Sequence, residues 1–169
     1  TGGRAVLHDY ELTYSIISPE KNSIFPGTIQ GNYLIIAETL RDAITHFGIS
    51  IKMAPGRREE KTIGTQDFRH NACFNFPSLH ELLVEGCKIT GSAQVRRQGV
   101  FLQHGSIPLE MDLDLVARAM SPKGVVLSAK GRECLFRKVG WLNRFSSKPV
   151  EMWILREKII AAFSRRLKI

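Results

Sequence analysis

The sequence predicts an α+β fold, and three observations carry that expectation. Apolar residues recur at steps of three and four from Ile29 to Phe47, the spacing of one helical face. Between His80 and Ile107, β-prone runs are separated by glycine-containing turns, the pattern of an antiparallel meander. Helical and β-prone stretches follow one another without regular βαβ alternation, which selects α+β over a doubly wound α/β chain.

In chain order, Ala5 to Leu7 and Leu12 to Ile17 are β-prone and joined by His8-Asp9-Tyr10-Glu11, which reads as a hairpin. Pro19 to Gly27 reads as a loop. Thr28 is a suitable N-cap for a helix whose face is Ile29, Tyr33, Ile36, Ala37, Leu40, Ala43, Ile44 and Phe47, closed by Gly48. Ile49 to Met53 is a short strand candidate. Pro55 to Asp67 is polar, charged and glycine-containing, and reads as a surface loop. His80 to Glu85 turns at Gly86 into Lys88 to Val95, and Arg96-Arg97-Gln98-Gly99 turns the chain again into Val100 to Ile107. Asp112 to Met120 is short and amphipathic. Ser147-Lys148-Pro149 opens a last helix, with proline in its first turn and Val150, Trp153, Ile154, Ile160 and Ala161 along one side.

The chain has 169 residues, 43% of them hydrophobic and 24% charged, enough apolar material to bury a core. The length fits one domain over residues 1–169, with 147–169 as a C-terminal helical segment. No apolar run is long enough for a transmembrane helix, so no membrane partner is expected. The opening Thr1-Gly2-Gly3-Arg4 has neither an initiator methionine nor a signal-peptide pattern, and reads as the middle of a reading frame with its N-terminal part missing. Cys73, Cys87 and Cys134 form no CxxC pair and give an odd count, which points to free thiols in a reducing cytoplasm. The net charge of +8 favours acidic partners, among them an acidic carrier protein. Nucleic acid is not expected, because no aromatic-basic RNA motif or zinc finger accompanies the charge.

Three places have residue types suited to chemistry. Gly2-Gly3-Arg4 precedes a β-prone run, where paired glycines let backbone N–H groups approach a carboxyl or phosphoryl oxygen, or simply make a turn. In Gly86 to Ala93, Lys88, Thr90 and Ser92 alternate to one side if the segment is a continuous strand, and Gly91 marks a bulge or a close approach. Lys88 then either points inward, where it can hold an acyl carbonyl, or reaches solvent. Cys73 follows Arg69, His70 and Asn71, and positive neighbours favour the nucleophilic thiolate. Phe74, Phe76 and Pro77 could wall an apolar pocket; equally, cysteine among aromatics is often an inert core residue. His70, Cys73, His80 and Cys87 match no standard zinc spacing, so no metal is expected. Arg156, Lys158, Arg165, Arg166 and Lys168 form a basic C-terminal cluster, a solvated helix face or a docking surface for an acidic domain.

The strings TGGRAVLHDYELTYS, ACFNFPSLHELLVEG and KITGSAQVRRQGVFLQHGSIPL, in that order, resemble the cysteine-dependent octanoyltransferases of the lipoate-protein ligase A-like family, from Thr1 to about Leu109. The resemblance implies a mixed, largely antiparallel sheet flanked by helices, the biotin/lipoate protein ligase fold related to class II aminoacyl-tRNA synthetases. It implies a transfer that needs no cofactor: a cysteine takes octanoyl from acyl carrier protein, and a lysine of a lipoyl domain, such as glycine-cleavage H protein, removes it. By likeness the cysteine is Cys73 and the family lysine Lys88. Gly2, Gly3, Arg4, Val6 and His8 would line one side of the acyl site, with Gly91, Ser92, Ala93 and His104 opposite. Such a role fits simple energetics, since thioester exchange is nearly neutral and amide formation is downhill. Against the family pattern, Cys87 stands where an arginine is usual, and Leu79-His80 replaces an aromatic pair.

Three alternatives remain open at this stage. An ATP-dependent lipoate–protein ligase would use ATP and Mg with Lys88 and the glycine loop, but Glu11-Leu12-Thr13 replaces the Gly-Asn of that pattern and Cys73 has no part in its chemistry. Amidotransfer between lipoyl domains is a related variant whose glycine-loop wording differs. From another class comes a non-catalytic module that binds lipoyl domains.

Overall fold

The computed structural model describes residues 7–20, 22–54, 80–120 and 128–168. In chain order these hold β1 (Glu11–Pro19), α1 (Ile29–Ile44) running into a 3-10 turn (Thr45–Phe47), β2 (Lys52–Met53), β3 (Leu82–Val84), β4 (Cys87–Lys88), β5 (Gly91–Arg97), β6 (Val100–Pro108), α2 (Leu113–Met120), α3 (Ala129–Phe136), α4 (Leu142–Phe145) and α5 (Met152–Leu167). The fold is α+β, as expected. Strands β1, β6 and β5 form one antiparallel sheet in that order, and β2, β3 and β4 form a second.

Local signals shape α1 as anticipated. The Thr28 hydroxyl accepts the Gly31 N–H at 3.0 Å, and Gly48 stops the following turn in the left-handed region at φ +74°. Ile36, Leu40, Ala43 and Ile44 are buried, whereas Ile29, in the first turn, is exposed. Strands β5 and β6 also form as expected, turning through Gln98 and Gly99, both at positive φ.

The segment from His80 to Ile107 differs in one important way. The run Lys88 to Val95 is not one strand: β4 ends at Lys88, β5 begins at Gly91, and the two belong to different sheets. Cys87, Lys88, Ile89 and Thr90 are all buried, so period-two alternation fails there. The cause is a second neighbour. Residues 138–140 lie along the edge of β4 away from β3, with the Lys88 N–H donating to the Lys138 carbonyl at 2.9 Å and the Gly140 N–H to the Lys88 carbonyl at 2.8 Å. This contact is a parallel bridge between Lys88 and Val139. It also buries Cys87, which belongs to a strand rather than to a hairpin turn.

At the N-terminal side, β1 pairs with β6 from Glu11–Pro108 to Pro19–Val100. Ala5 and Val6, from the first limb of the anticipated hairpin, lie outside the described residues, and Leu7 has no strand pairing. At the other end, α5 begins at Met152, so Pro149 precedes the helix instead of occupying its first turn. The buried side of α5 is Leu155, Ile159 and Ala162; Trp153 is 63% and Ile160 52% exposed, which corrects the anticipated apolar face.

The core joins α1, α5 and the inner face of the β1-β6-β5 sheet, through Ile36, Leu40, Ile44, Phe101, Ile107 and Leu155. A smaller cluster of Leu135 and Val139, packed by Met111, Leu113 and Val116, ties α2 to α3. Among the described residues no helix is long and apolar enough to cross a membrane.

Candidate active site

Lys88 is the best-defined chemical group among the anticipated site residues. Its side chain does not reach solvent. It is 4% exposed, and its Nζ lies 2.5 Å from Oε1 of Glu81, itself 4% exposed. A buried ammonium is tolerated when a carboxylate compensates it at hydrogen-bonding distance. Both ends of the pair are fixed by main chain as well: the Glu81 carbonyl accepts the Ala54 N–H at 2.8 Å, and Lys88 is bonded through both its N–H and its carbonyl to residues 138–140. Glu81 was not singled out from the sequence, because a carboxylate at the head of a β-prone run usually faces water.

The residues anticipated opposite the glycine loop divide between the two faces of a sheet. Pairing sets Ser15, His104 and Ala93 in one cross-strand row, next to the row of Thr13, Ser106 and Gly91. Side chains of these rows share one face. Gly91, Ala93 and exposed His104 are therefore together. The Ser92 side chain is not with them. It points to the helix-covered face, in the row of Gly105 and Tyr14, and its hydroxyl shares a 2.7 Å hydrogen bond with the Tyr14 hydroxyl. The Ser92 carbonyl accepts from the Tyr33 hydroxyl of α1 at 3.3 Å. Gln103 Nε2 also donates to the Tyr14 oxygen at 3.4 Å, and Gln94 Nε2 to Gln103 Oε1 at 2.9 Å. Burial pushes the Tyr14 phenol up, against the lowering effect of its bonds to Ser92 and Gln103.

This polar row braces the strand carrying Gly91 and Ala93 from behind, and Gly105 is its tightest point. A Cβ at Gly105 would stand 2.5 Å from the Gly91 carbonyl oxygen and 2.5 Å from the Tyr14 ring. Gly105→Ala is expected to destabilise the protein by about 1–3 kcal/mol, as over-packing does, in urea unfolding monitored by circular dichroism. A change within experimental error would mean that the row is loose.

His8 is exposed and pairs with Glu11, whose other carboxylate oxygen accepts the Ser106 hydroxyl. Ser106 pairs with Gly91 across β5 and β6, so Glu11 ties His8 to the edge of the same small-residue face. Gly2, Gly3, Arg4, Val6 and Cys73 lie outside the described residues. A cleft of about 530 Å³ opens between α2 and α3, lined by Met111, Leu113, Arg132, Phe136 and Trp141 among others, and none of the anticipated site residues lines it.

The arrangement is thus a compensated, immobilised ammonium at the end of β4, followed directly by a face of small residues on β5. A family model described as the lipoyl protein ligase A/B catalytic domain matches residues 1–164. The chain belongs to that family. Membership of the lipoyl protein ligase A/B family extends the resemblance well past Leu109, across the segment at residues 138–140 that bonds to Lys88. Octanoyltransferase LipM of Staphylococcus epidermidis is 38% identical over 169 residues, covering 100% of this chain and 61% of its own length. The octanoyltransferase LipM of Bacillus cereus is 47% identical over 114 residues, which cover 68% of this chain and 41% of the relative. The chain therefore spans about three fifths of the length of the whole-chain relatives it matches. Among solved structures, a bipartite lipoate protein ligase from Thermoplasma acidophilum, studied with its E2 lipoyl domain, superposes with a TM-score of 0.69 at 20% identity, covering 99% of this chain and 56% of that one. A biotin protein ligase from Aquifex aeolicus gives a TM-score of 0.57 at 11% identity, covering 95% and 53%. The lipoate/biotin protein ligase fold is the one anticipated.

Proposed function

We propose that this chain is the catalytic part of a cytoplasmic octanoyltransferase of protein lipoylation, acting through an acyl-enzyme on Cys73. The observation that supports this most is the likeness, along the whole chain, to octanoyltransferase LipM. The thiolate of Cys73 attacks the thioester of octanoyl-acyl carrier protein; the new sulfur–carbon bond forms as the carrier's breaks, and the carrier thiolate takes up a proton. The amine of a lipoyl-domain lysine, for instance that of glycine-cleavage H protein, then attacks the acyl-enzyme. An amide forms, the bond to Cys73 breaks, and the proton released by the amine is available to the departing thiolate. No ATP or metal enters either step.

Lys88 has the part of an electrophilic partner. An ammonium held in a dry site can bind the acyl oxygen where negative charge develops in each tetrahedral intermediate. Gly91, Ala93 and His104 offer a neighbouring surface with little side-chain bulk. Gly2, Gly3, Arg4, Val6 and His8 are proposed for the other wall, and Ser92 acts through its backbone and its brace to Tyr14.

Incubation with octanoyl-acyl carrier protein in the absence of ATP, followed by intact-mass measurement, tests this reading. The expected product is a hydroxylamine-sensitive octanoyl adduct on Cys73, absent in Cys73→Ser. An adduct that requires ATP would instead identify a lipoate–protein ligase. No adduct, even on a chain of its relatives' full length, would leave a lipoyl-domain-binding module.

A further inference from the structure

We infer that Glu81 is a positioning residue for Lys88, holding the ammonium both charged and aimed at the acyl site. The inference rests on the role given to Lys88 above and adds a residue to it. Lys88 and Glu81 are the two charged residues of the second sheet and its flanks that are buried, and they meet at 2.5 Å. The other titratable groups on elements packed against β4 are differently placed. Glu85, after β3, is exposed; Arg137 is exposed and paired with Glu133; Lys138 meets Lys88 through its backbone carbonyl; Cys87 directs its thiol to the carbonyls of Phe136 and Arg137. Glu81 is thus the carboxylate in contact with the ammonium among the described residues.

Two consequences follow from general electrostatics. Burial favours the neutral amine over the ammonium, and a contacting carboxylate opposes that preference. A lysine side chain also has several rotatable bonds, and a fixed counter-ion selects one arrangement out of many. The main-chain ties at Ala54 and at residues 138–140 keep the two partners at that separation. The pair therefore does more than fill space. Glu81→Gln removes that opposing charge while leaving the burial in place.

The test compares wild type, Glu81→Gln and Glu81→Asp in the rate of Cys73 acylation by octanoyl-acyl carrier protein across the neutral and alkaline range. In Glu81→Gln the alkaline limb of the profile is expected to move to lower pH by about one unit or more. Glu81→Asp, which withdraws the charge by one methylene, is expected to lie between the other two, and it carries the test if Glu81→Gln does not fold. A uniform loss of rate with an unmoved limb would show that Glu81 is only structural and overturn the inference. If wild type forms no acyl-enzyme, the proposed function fails separately, and Glu81 is then judged from the side-chain nitrogen resonance of Lys88 in lysine-labelled protein. Earlier proton loss in the variant than in wild type upholds the inference; coincident titration overturns it.

Discussion

Lys88→Met is expected to lower octanoyl transfer by about 10²–10³-fold, the usual effect of deleting one donor to a developing oxyanion. The same change should lower stability by about 3–5 kcal/mol, because it removes the ammonium that meets the buried Glu81 carboxylate at 2.5 Å. The two losses have different origins and can be separated. In the double variant Lys88→Met/Glu81→Leu both charges leave the interior together, and buried ion pairs replaced by apolar residues of similar volume are often neutral or stabilising. Most of the stability should return while activity stays lost. Steady-state transfer and urea denaturation of all three proteins are the measurements. Retained transfer in Lys88→Met would remove the lysine from the chemistry. A double variant as unstable as the single one would show that the pair is needed for folding for some other reason.

The largest effect expected from packing alone is at Phe101. This residue is 0% exposed, lies near the start of the central strand of its sheet, and meets Phe25 edge-on with ring centroids 5.0 Å apart. Phe101→Ala should cost about 3–5 kcal/mol through lost burial and the cavity left between the sheet and the helices. Trp153→Ala is the contrasting case: a larger side chain, but 63% exposed on α5, and expected to change stability by no more than about 0.5 kcal/mol. Comparable losses at the two sites would contradict the orientation of α5 described above.

That contrast also shows what could be read in advance. Helix α1 was legible because its signals are local: a side-chain cap at Thr28, one consistent apolar face and a glycine stop at Gly48. The β5–β6 turn was legible for the same reason. Helix α5 has apolar residues around much of its circumference, so its sequence admits more than one buried side. Packing against α1 selects Leu155, Ile159 and Ala162. The break between β4 and β5 is a tertiary effect too: residues 138–140, distant in sequence, bond to Lys88 where four consecutive positions are buried.

The candidate site divides along the same line. Lys88 and the Gly91 to Ala93 stretch were found through resemblance, and their residue types suit acyl chemistry. Ser92 was grouped with Gly91 and Ala93 by likeness to the family, yet strand geometry sends its side chain to the opposite face. Glu81 escaped notice because nothing in a single sequence distinguishes a carboxylate that meets a lysine seven positions later from one that meets water.

The bridge between Lys88 and Val139 bears on how short a working version of this protein can be. Every string that suggested the family ends by Leu109, and a fragment trimmed there would look complete to the eye. It would nevertheless strip one edge of β4 of its bonding partners and expose Cys87 and Ile89 to water. The smallest unit that keeps the lysine seated must therefore extend past Gly140, through helices whose own residues perform none of the proposed chemistry.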